Sequence, residues 1–487
     1  MDPRTPVIVG VAQVTRDAGD DGPIELAVEA LRLAAQDSGA GDGLLRKADS
    51  CRHVATLCWP YSVEAALIAA ELGISPRETV RTTPLGGDGP QRLLGDTARA
   101  IAAGEIEIAL VTGAEALAAL RGHQQAGARP DWRSQPSEQT PTRTVGTDRF
   151  ASNEAEAAVG LAAPVYNYAL LESAVRARKR QDRAAHGREI ATLWSRFSKV
   201  AAANPHARIR RQFEPDELLA ATPDNRPVSL PYLKRLTANI QVDQATALIL
   251  CSAEAAAAKG VPRDRWVFPH VSAHASDEWF MTERRELAAS PAIAAAGRSA
   301  LEHTTRTIDE IAYIDLYSCF PSAVQIAANA LGVTSTDDRP LTLTGGLTFA
   351  GGPGNNYASH SVATAVGMLR HDPDAFALTT ALGWYVTKHA VGIYSSRPPE
   401  RPFAEIDANQ LIDRPRPRRA TATYEGEATV EAFTVPYNRD GEPEAAVIAA
   451  LTPDGDRALE RSADQGLIDM LVNGDPLGDT ITMQASA

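Results

Sequence analysis

A glycine-rich stretch between a strand-like run and a helix-like run decides the fold of this chain: Gly345-Gly346-Leu347-Thr348-Phe349-Ala350-Gly351-Gly352-Pro353-Gly354-Asn355-Asn356. Five glycines in ten residues, followed by two asparagines, let the backbone take positive φ and approach other groups closely. The next residues place Val362, Ala365, Val366 and Leu369 at the spacing of one buried helical face. Such a turn at a helix N-terminus directs unpaired N–H groups toward an anion or a developing oxyanion. A tight packing turn inside an α/β core is the alternative interpretation.

A second copy of this pattern occurs earlier in the chain. Gly86-Gly87-Asp88-Gly89 is followed by a helix-like run, a strand-like run and Gly113. The later turn is followed in the same way by a helix, a strand and Gly383. In both halves, strands rich in Val, Ile and Leu alternate with helices, which is typical of an α/β fold with covered sheets. The repetition predicts an internal duplication.

Composition limits the classes of function. The chain has 487 residues, enough for two to four domains, and its 44% hydrophobic and 22% charged residues are ordinary for a soluble globular protein. A formal charge of −13 argues against a nucleic-acid or anionic-membrane surface. No apolar run predicts a signal peptide or membrane span. None of the cysteines forms a C-x-x-C pair, which favours a reducing cytoplasm and predicts neither a disulfide framework nor a metal cluster. These cysteines are Cys51, Cys58, Cys251 and Cys319.

Shifts in composition predict five segments. Residues 118–239 form a polar loop-and-helix insertion, and a proline- and arginine-rich linker lies near the C-terminus. After the linker, the pattern changes to period-2 alternation with turn residues between short runs, which indicates a small antiparallel barrel. The predicted bounds are 1–117 with 240–262 for the first α/β half, 118–239 for the insertion, 263–396 for the second half, 397–419 for the linker and 420–487 for the barrel.

Several common sites are excluded or weakened by the residues present. Neither glycine turn fits a dinucleotide or P-loop motif, and no Gly-x-Ser-x-Gly occurs. His270 and His274 lie on a predicted strand, ~13 Å apart, too far to share one metal. Cys319 directly follows a buried strand, where parallel sheets place catalytic groups, although a small buried core residue is the common alternative. His360 and His389 are further candidates, each with a structural alternative.

Four short motifs resemble those of thiolases. Gly86 to Gln91 resembles the motif Cys-x-Ser-Gly-x-Gln, and Tyr317 to Phe320 resembles His-Asp-Cys-Phe of the sterol-carrier-protein-type thiolases. Gly346 to Pro353 resembles the Gly-Gly-His-Pro type of turn, and Ala381 to Gly383 stands where thiolases have Cys-x-Gly. The resemblance covers residues 5 to 395, and with the C-terminal barrel the whole chain is most similar to mycobacterial thiolase-like proteins of type 1.

The resemblance implies a duplicated thiolase fold: two five-stranded mixed sheets with covering helices, a loop-domain insertion and an antiparallel barrel of the oligonucleotide/oligosaccharide-binding type. The catalytic side chains of the family are nevertheless replaced. The nucleophilic cysteine position is Gly86, the histidine position of the glycine turn is Gly352, and the remaining replaced positions are Ala381 and Tyr317. Only Cys319 matches a motif residue. Loss of a nucleophile in a coupled site costs on the order of 10⁶ in rate.

Three functions follow as hypotheses. The first is a protein of lipid metabolism that binds CoA thioesters without ordinary thiolysis and without a resident cofactor or metal. The second is an active acyltransferase or C–C lyase that uses Cys319 with Asn355, Asn356, Tyr357 or His360 as partner. The third is a scaffold that recruits a partner through the barrel. Backbone groups of the turns would bind the ligand in the first case, at Gly351, Gly354, Asn355, Asn356 and Gly383.

The resemblance also identifies the strand through which thiolases dimerise. Here it reads Thr79 to Pro84, and it contains Arg81. Proline removes a hydrogen-bond donor and arginine adds charge, which both discourage strand pairing. We therefore expect a weakened dimer or a monomer.

Overall fold

The computed structural model describes residues 1–17, 19–334 and 337–485. The strands are β1 Pro6–Arg16, β2 Ser50–Val54, β3 Glu78–Thr82, β4 Ile108–Ala116, β5 Arg143–Val145, β6 Pro227–Ser229, β7 Tyr232–Leu233, β8 Asp243–Ser252, β9 Phe268–Ser276, β10 Tyr313–Asp315, β11 Phe376–Gly383, β12 Lys388–Ser395, β13 Ala404–Asp407, β14 Ala420–Thr421, β15 Gly426–Thr434, β16 Ala446–Leu451, β17 Arg457–Ser462 and β18 Thr480–Met483. The helices are α1 Pro23–Asp37, α2 Asp42–Leu45, α3 Glu64–Leu72, α4 Gly89–Ala102, α5 Leu117–Gln125, α6 Glu154–Ala158, α7 Pro164–Lys179, α8 Arg183–Ala203, α9 Pro215–Leu219, α10 Ala253–Ala258, α11 Pro291–Thr304, α12 Pro321–Leu331, α13 Gly346–Phe349, α14 Tyr357–His371 and α15 Gln465–Asn473.

Two mixed sheets form the α/β core. The first has the order β1-β8-β4-β2-β3-β5, and the second has the order β10-β11-β12-β9-β13. The helices that follow the two glycine turns, α4 and α14, lie between these sheets, where Leu94 and Val366 share one apolar cluster with Leu248 of the first sheet and Tyr394 of the second. This sheet–helix–sheet layering confirms the duplicated thiolase fold, and it brings the two turns to the same end of the molecule.

Two predictions need correction: the number of strands in the first sheet and the unstructured linker. The first sheet has six strands rather than five, because β5 from the insertion pairs with β3. The predicted linker 397–419 is partly structured, because β13 pairs in parallel with β9 and completes the second sheet. The charged and proline-rich composition of this segment did not predict a strand. The strand forms because the exposed edge of β9 provides hydrogen-bond partners for it.

The C-terminal strands form a sheet in the order β14-β17-β16-β15-β18, with α15 packed on it. Within the described residues no ladder joins β14 to β18, so closure into a barrel stays a prediction. The other face of the sheet lies against the insertion. Arg176 of α7 makes a bidentate ion pair with Asp475 at 2.6 Å, and the Phe433 N–H donates to Ser173 Oγ at 3.2 Å. These contacts fix the C-terminal sheet to the rest of the chain.

Candidate functional site

The two glycine turns meet through the side chain of Asn355. The Gly86 N–H donates to Asn355 Oδ1, and Asn355 Nδ2 donates to the carbonyl oxygens of Ala55 and Pro84, all at 2.9 Å. Asn355 belongs to the second turn, whereas its three partners belong to the first half of the chain. The structure therefore brings together the two stretches that the sequence identifies as related.

A buried ion pair lies beside Gly86, the residue that the resemblance to thiolases aligned with the nucleophilic cysteine. Gly86 has φ +142°, and a Cβ added there would lie closer than 3.0 Å to Asp88 Oδ1 and to Lys388 Nζ. Lys388 pairs with Asp88 at 3.2 Å, and their side chains are 4% and 7% exposed. Lys388 Nζ also donates to the carbonyl oxygens of Leu85 at 2.8 Å and Thr147 at 3.4 Å. Any side chain at residue 86 would displace this buried pair.

Gly383 lies beside the same ion pair, and Tyr317 lies beside Gly87 of the first turn. A Cβ on Gly383 would overlap Asp88 Oδ1, and a Cβ on Gly87 would overlap the hydroxyl of Tyr317. Tyr317 and Ala381 line a cavity of only about 10 Å³. Such a space holds one water molecule at most. Tyr317 therefore lies beside the first turn and Ala381 lines the same small cavity as Tyr317, whereas Gly352 lies against Asn239 and Leu347.

The second turn is held mainly by hydrogen bonds that its backbone N–H groups donate. The Gly352 N–H donates to the Asn239 carbonyl at 2.9 Å, and the Gly354 N–H donates to the Gly352 carbonyl at 2.8 Å. A Cβ on Gly352 would lie 3.4 Å from its nearest neighbour, the Asn239 carbonyl oxygen, which is ordinary contact distance. Gly351, with φ +121°, packs against Gln244. These engaged amides anchor the turn, and an oxyanion role for the turn stays a prediction.

Asn356 ties the second turn to β4 and β8. Its Nδ2 donates to the Gly113 carbonyl and to Thr246 Oγ1, both at 2.9 Å. With Asn355, it accounts for both asparagines that end the glycine-rich stretch. Each is engaged in bonds between the halves, and a ligand-binding role for either stays a prediction.

The buried carboxylate of Glu115 packs against the second turn. The sequence analysis did not predict this residue. It accepts the N–H groups of Leu57 at 2.6 Å and Cys58 at 3.0 Å, and its Oε1 would lie 2.5 Å from a Cβ on Gly354. Burial raises the pKa of Glu115 to about 7. Glu115 follows a strand-like apolar run in the sequence. A single acidic residue at that place indicates the exposed end of a strand. Lys388 and Asp88 were missed as a pair because their contact joins distant parts of the sequence.

Cys319 and His360 do not form a catalytic pair. Cys319 is buried beside Tyr168, and burial raises the pKa of its thiol to about 12. His360 Nδ1 lies 2.9 Å from Gln13 Oε1 on β1, and burial lowers the pKa of its imidazole to about 3. The two side chains have separate partners on different elements.

The remaining histidine candidates have structural partners. His389 Nε2 lies 3.2 Å from Asp277 Oδ2, and the hydroxyl of Ser290, which caps α11, contacts both. His270 Nε2 lies 3.1 Å from the Arg397 carbonyl. In the described part of the chain, no group of three His, Cys, Asp or Glu side chains is arranged to hold a metal ion. None of the described helices combines the length and apolarity needed to cross a membrane.

Comparisons with known proteins agree with this architecture. Residues 407–486 match the family model described as the thiolase-like protein type 1 additional C-terminal domain. The crystal structure of a monomeric SCP2-thiolase-like protein type 1 from Mycobacterium smegmatis has 34% identity and a TM-score of 0.86, with coverage of 100% of this chain and 98% of that one. No curated protein sequence gives a match.

More distant structures share the fold alone. An Ltp2-ChsH2(DUF35) aldolase has 17% identity and a TM-score of 0.62, with coverage of 82% of this chain and 99% of that one. Human mitochondrial 3-ketoacyl-CoA thiolase has 15% identity and a TM-score of 0.57, with coverage of 81% and 100%. The full-length match at 34% identity, together with the C-terminal domain model, places the chain in a family: it belongs to the SCP2-thiolase-like proteins of type 1.

Proposed function

We propose that this protein binds CoA thioesters in lipid metabolism and does not perform ordinary thiolysis. The observation that carries the proposal is the Lys388–Asp88 ion pair, which stands where a thiolase nucleophile would project from residue 86. Covalent acyl transfer needs a nucleophile with a base in reach. The position of the nucleophile is a glycine, and an ammonium group held by a carboxylate and two carbonyl oxygens fills the space.

The alternative of an active acyltransferase using Cys319 receives little support. A thiol with a pKa of about 12 is a thiolate in about one molecule in 10⁵ at pH 7. The other candidate, His360, has its partner Gln13 on β1 rather than the thiol. Neither the nucleophile nor a base is therefore prepared for this reaction.

Ligand binding is supported by exposed apolar side chains beside the turns. Leu85, 40% exposed, precedes Gly86, and Leu57, 43% exposed, donates its N–H to Glu115. Ile240, 52% exposed, follows Asn239, whose carbonyl accepts the Gly352 N–H. Each of the three lies next to a residue that contacts one of the turns, where an exposed apolar side chain is available to a ligand. We infer that the acyl thioester covers these side chains and does not enter the space that the Lys388 ammonium group fills.

We propose that the protein is a monomer, like its relative from M. smegmatis, which is described as monomeric. The edge of β3 that thiolases use for dimerisation is covered by the chain's own β5, with Val80 paired to Arg143 and Thr82 to Val145. The expected reason was that Pro84 and Arg81 would discourage strand pairing, but here β5 covers the strand edge. Arg81 pairs with Glu64 at 2.8 Å inside the subunit, and Pro84 lies beyond the end of the strand.

Two measurements test the function. We expect no turnover of acetoacetyl-CoA with CoA, and we expect hexanoyl-CoA to bind in a calorimetric titration. Leu85→Asp should weaken this binding at least tenfold, whereas Leu33→Asp, on α1 and 39% exposed, is the matched control and should leave it unchanged. Thiolysis that is lost in Cys319→Ala would overturn the proposal, and so would the absence of any heat of binding.

A further inference from the structure

A large groove lies between α8 of the insertion and α12 of the second half. Its volume is about 1020 Å³, in the range of pockets for small molecules. Its floor is apolar and consists of Ile190, Leu193, Val324, Ala328, Val333 and Leu341. None of the residues around the two glycine turns lines this α8–α12 groove. It is therefore separate from the site of the proposed thioester binding.

A buried polar network holds the walls of the groove in place. Glu172 of α7 accepts hydrogen bonds from Tyr232 at 2.7 Å and from Gln325 of α12 at 2.6 Å, and it contacts His186 of α8 at 2.6 Å. Tyr232 Oη also lies 2.9 Å from Ser322 Oγ, at the start of α12. Because these bonds join α7, α8 and α12, the groove is formed before any ligand arrives.

The charged residues that line the groove are mostly cationic. They are Lys179, Arg188 and Arg196 against the single acid Glu189, although the whole chain carries a formal charge of −13. Lys179 is neutralised by Glu189 at 2.6 Å. Arg188 forms a weak, exposed pair with Asp216 at 3.3 Å. The local excess of positive charge at the groove opposes the charge of the protein as a whole.

Arg196 is the cation best placed to bind a ligand. Its Nη2 donates to the carbonyl oxygens of Asp337 at 2.8 Å and Arg339 at 2.9 Å, which fixes the guanidinium at the rim. Arg196 acts electrostatically on the Asp337 carboxyl, whose ion pair is with Arg339. Among the described residues the Arg196 guanidinium forms no ion pair of its own, and its planar geometry matches that of an incoming carboxylate.

We propose that the α8–α12 groove binds an amphiphilic carboxylic acid with a long apolar body. The apolar part lies along the floor between Leu193, Ala328 and Leu341, and the carboxylate pairs with Arg196. Burial of the chain supplies affinity, and the charge pair selects for an anionic head group. The ligand is a free acid rather than its CoA thioester, because esterification removes the carboxylate that Arg196 would bind.

The experiment is a calorimetric titration with sodium dodecanoate below its micelle-forming concentration, compared with neutral dodecanol. We expect dodecanoate to bind at micromolar concentration and dodecanol at least tenfold more weakly. Arg196→Gln should weaken dodecanoate binding about tenfold, and Arg196→Lys should restore part of it. Lys199→Gln is the matched control: it removes one positive charge from the same helix at an exposed side chain that does not line the groove, and it should alter binding less than twofold. Ala328→Trp, which fills the floor, should abolish binding.

Thermal unfolding of each variant shows whether it is folded, and hexanoyl-CoA binding should be unchanged in Arg196→Gln. Equal binding of dodecanol and dodecanoate would overturn the proposal, as would equal losses in Arg196→Gln and Lys199→Gln. Binding that persists in folded Ala328→Trp would place the ligand elsewhere and also overturn it. If only dodecanoyl-CoA binds, and binds in a way that Leu85→Asp abolishes, the groove is not the site.

Discussion

At each of the two glycine turns, a glycine packs against a buried carboxylate, but the carboxylates are balanced differently. Asp88 lies against Gly86 and is paired with Lys388. Glu115 lies against Gly354 and accepts the backbone N–H groups of Leu57 and Cys58, with a further hydrogen bond to the Cys58 side chain. The first turn therefore contains a neutralised ion pair. The second contains an acid without a cation, and burial raises its pKa to about 7.

The difference shows that the two replaced catalytic positions are not equivalent. A residue larger than glycine cannot return at position 86 without expelling the ion pair, and φ +142° disfavours it further. At Gly352, in contrast, the first side-chain atom has room, and the backbone does not adopt positive φ. The surroundings of Gly86 therefore exclude a side chain, whereas those of Gly352 leave room for a Cβ.

The largest effect is expected from removal of the cation at the first turn. Lys388→Met leaves the buried Asp88 carboxylate unpaired, which should cost about 3–5 kcal/mol of unfolding free energy. Chemical denaturation measures this directly. The double variant Lys388→Met/Asp88→Asn should recover part of the loss, because it removes the uncompensated charge. Arg188→Gln, which breaks an exposed pair, should cost less than about 1 kcal/mol. A loss of similar size in both single variants would mean that the first turn does not depend on its ion pair.

A smaller effect should separate the two glycines directly. Gly86→Ala forces a Cβ into Asp88 and Lys388 at positive φ, and we expect it to cost about 2–3 kcal/mol. Gly352→Ala is the same chemical change at the second turn, and it should alter stability by less than about 0.5 kcal/mol. Both values come from denaturant unfolding under identical conditions. Equal costs would remove the distinction drawn between the two positions.

The fold was largely predictable because its signals are local. Helix α12 has the predicted bounds, Pro321 to Leu331, since proline favours the first helical position and Gly332, with φ +74°, ends the helix. The resemblance also named Gly86 and Tyr317, and the structure places Tyr317 beside Gly87, the neighbour of Gly86. Strand β17 was not predicted, because it begins with the fully buried Arg457, whose charge is balanced by Glu431 on β15 at 2.7 Å.

The site was less predictable, because its decisive contacts join distant residues. Lys388 directly precedes His389 in the sequence. Only the histidine was considered as a catalytic candidate, because histidine is a common acid–base group. Nothing near Lys388 along the chain indicates that its ammonium reaches Asp88 in the other half of the duplication. The same limit applies to Glu115, whose partners are backbone N–H groups and the side chain of Cys58. Tertiary packing decides that Asp88 has a cationic partner and Glu115 does not.

The smallest effect concerns pH and tests the second turn. In the folded protein the pKa of Glu115 lies at about 7, above its ordinary value of 4.5, so the folded state holds this proton more tightly than the unfolded state. The stabilisation is complete below about pH 4.5 and is lost as the pH rises through about 7. Glu115→Gln keeps an acceptor oxygen but cannot ionise. The stability of the wild type minus that of the variant should therefore fall by about 2 kcal/mol between pH 5 and pH 8, at 1.36 kcal/mol per pKa unit.

Asp315, whose pKa burial raises to about 6, titrates in both proteins and cancels in this difference. The measurement is a pair of urea denaturation series at each pH. A constant difference across this range would show that Glu115 does not change its charge state between pH 5 and pH 8. The contrast between the turns would then lie only in their glycines.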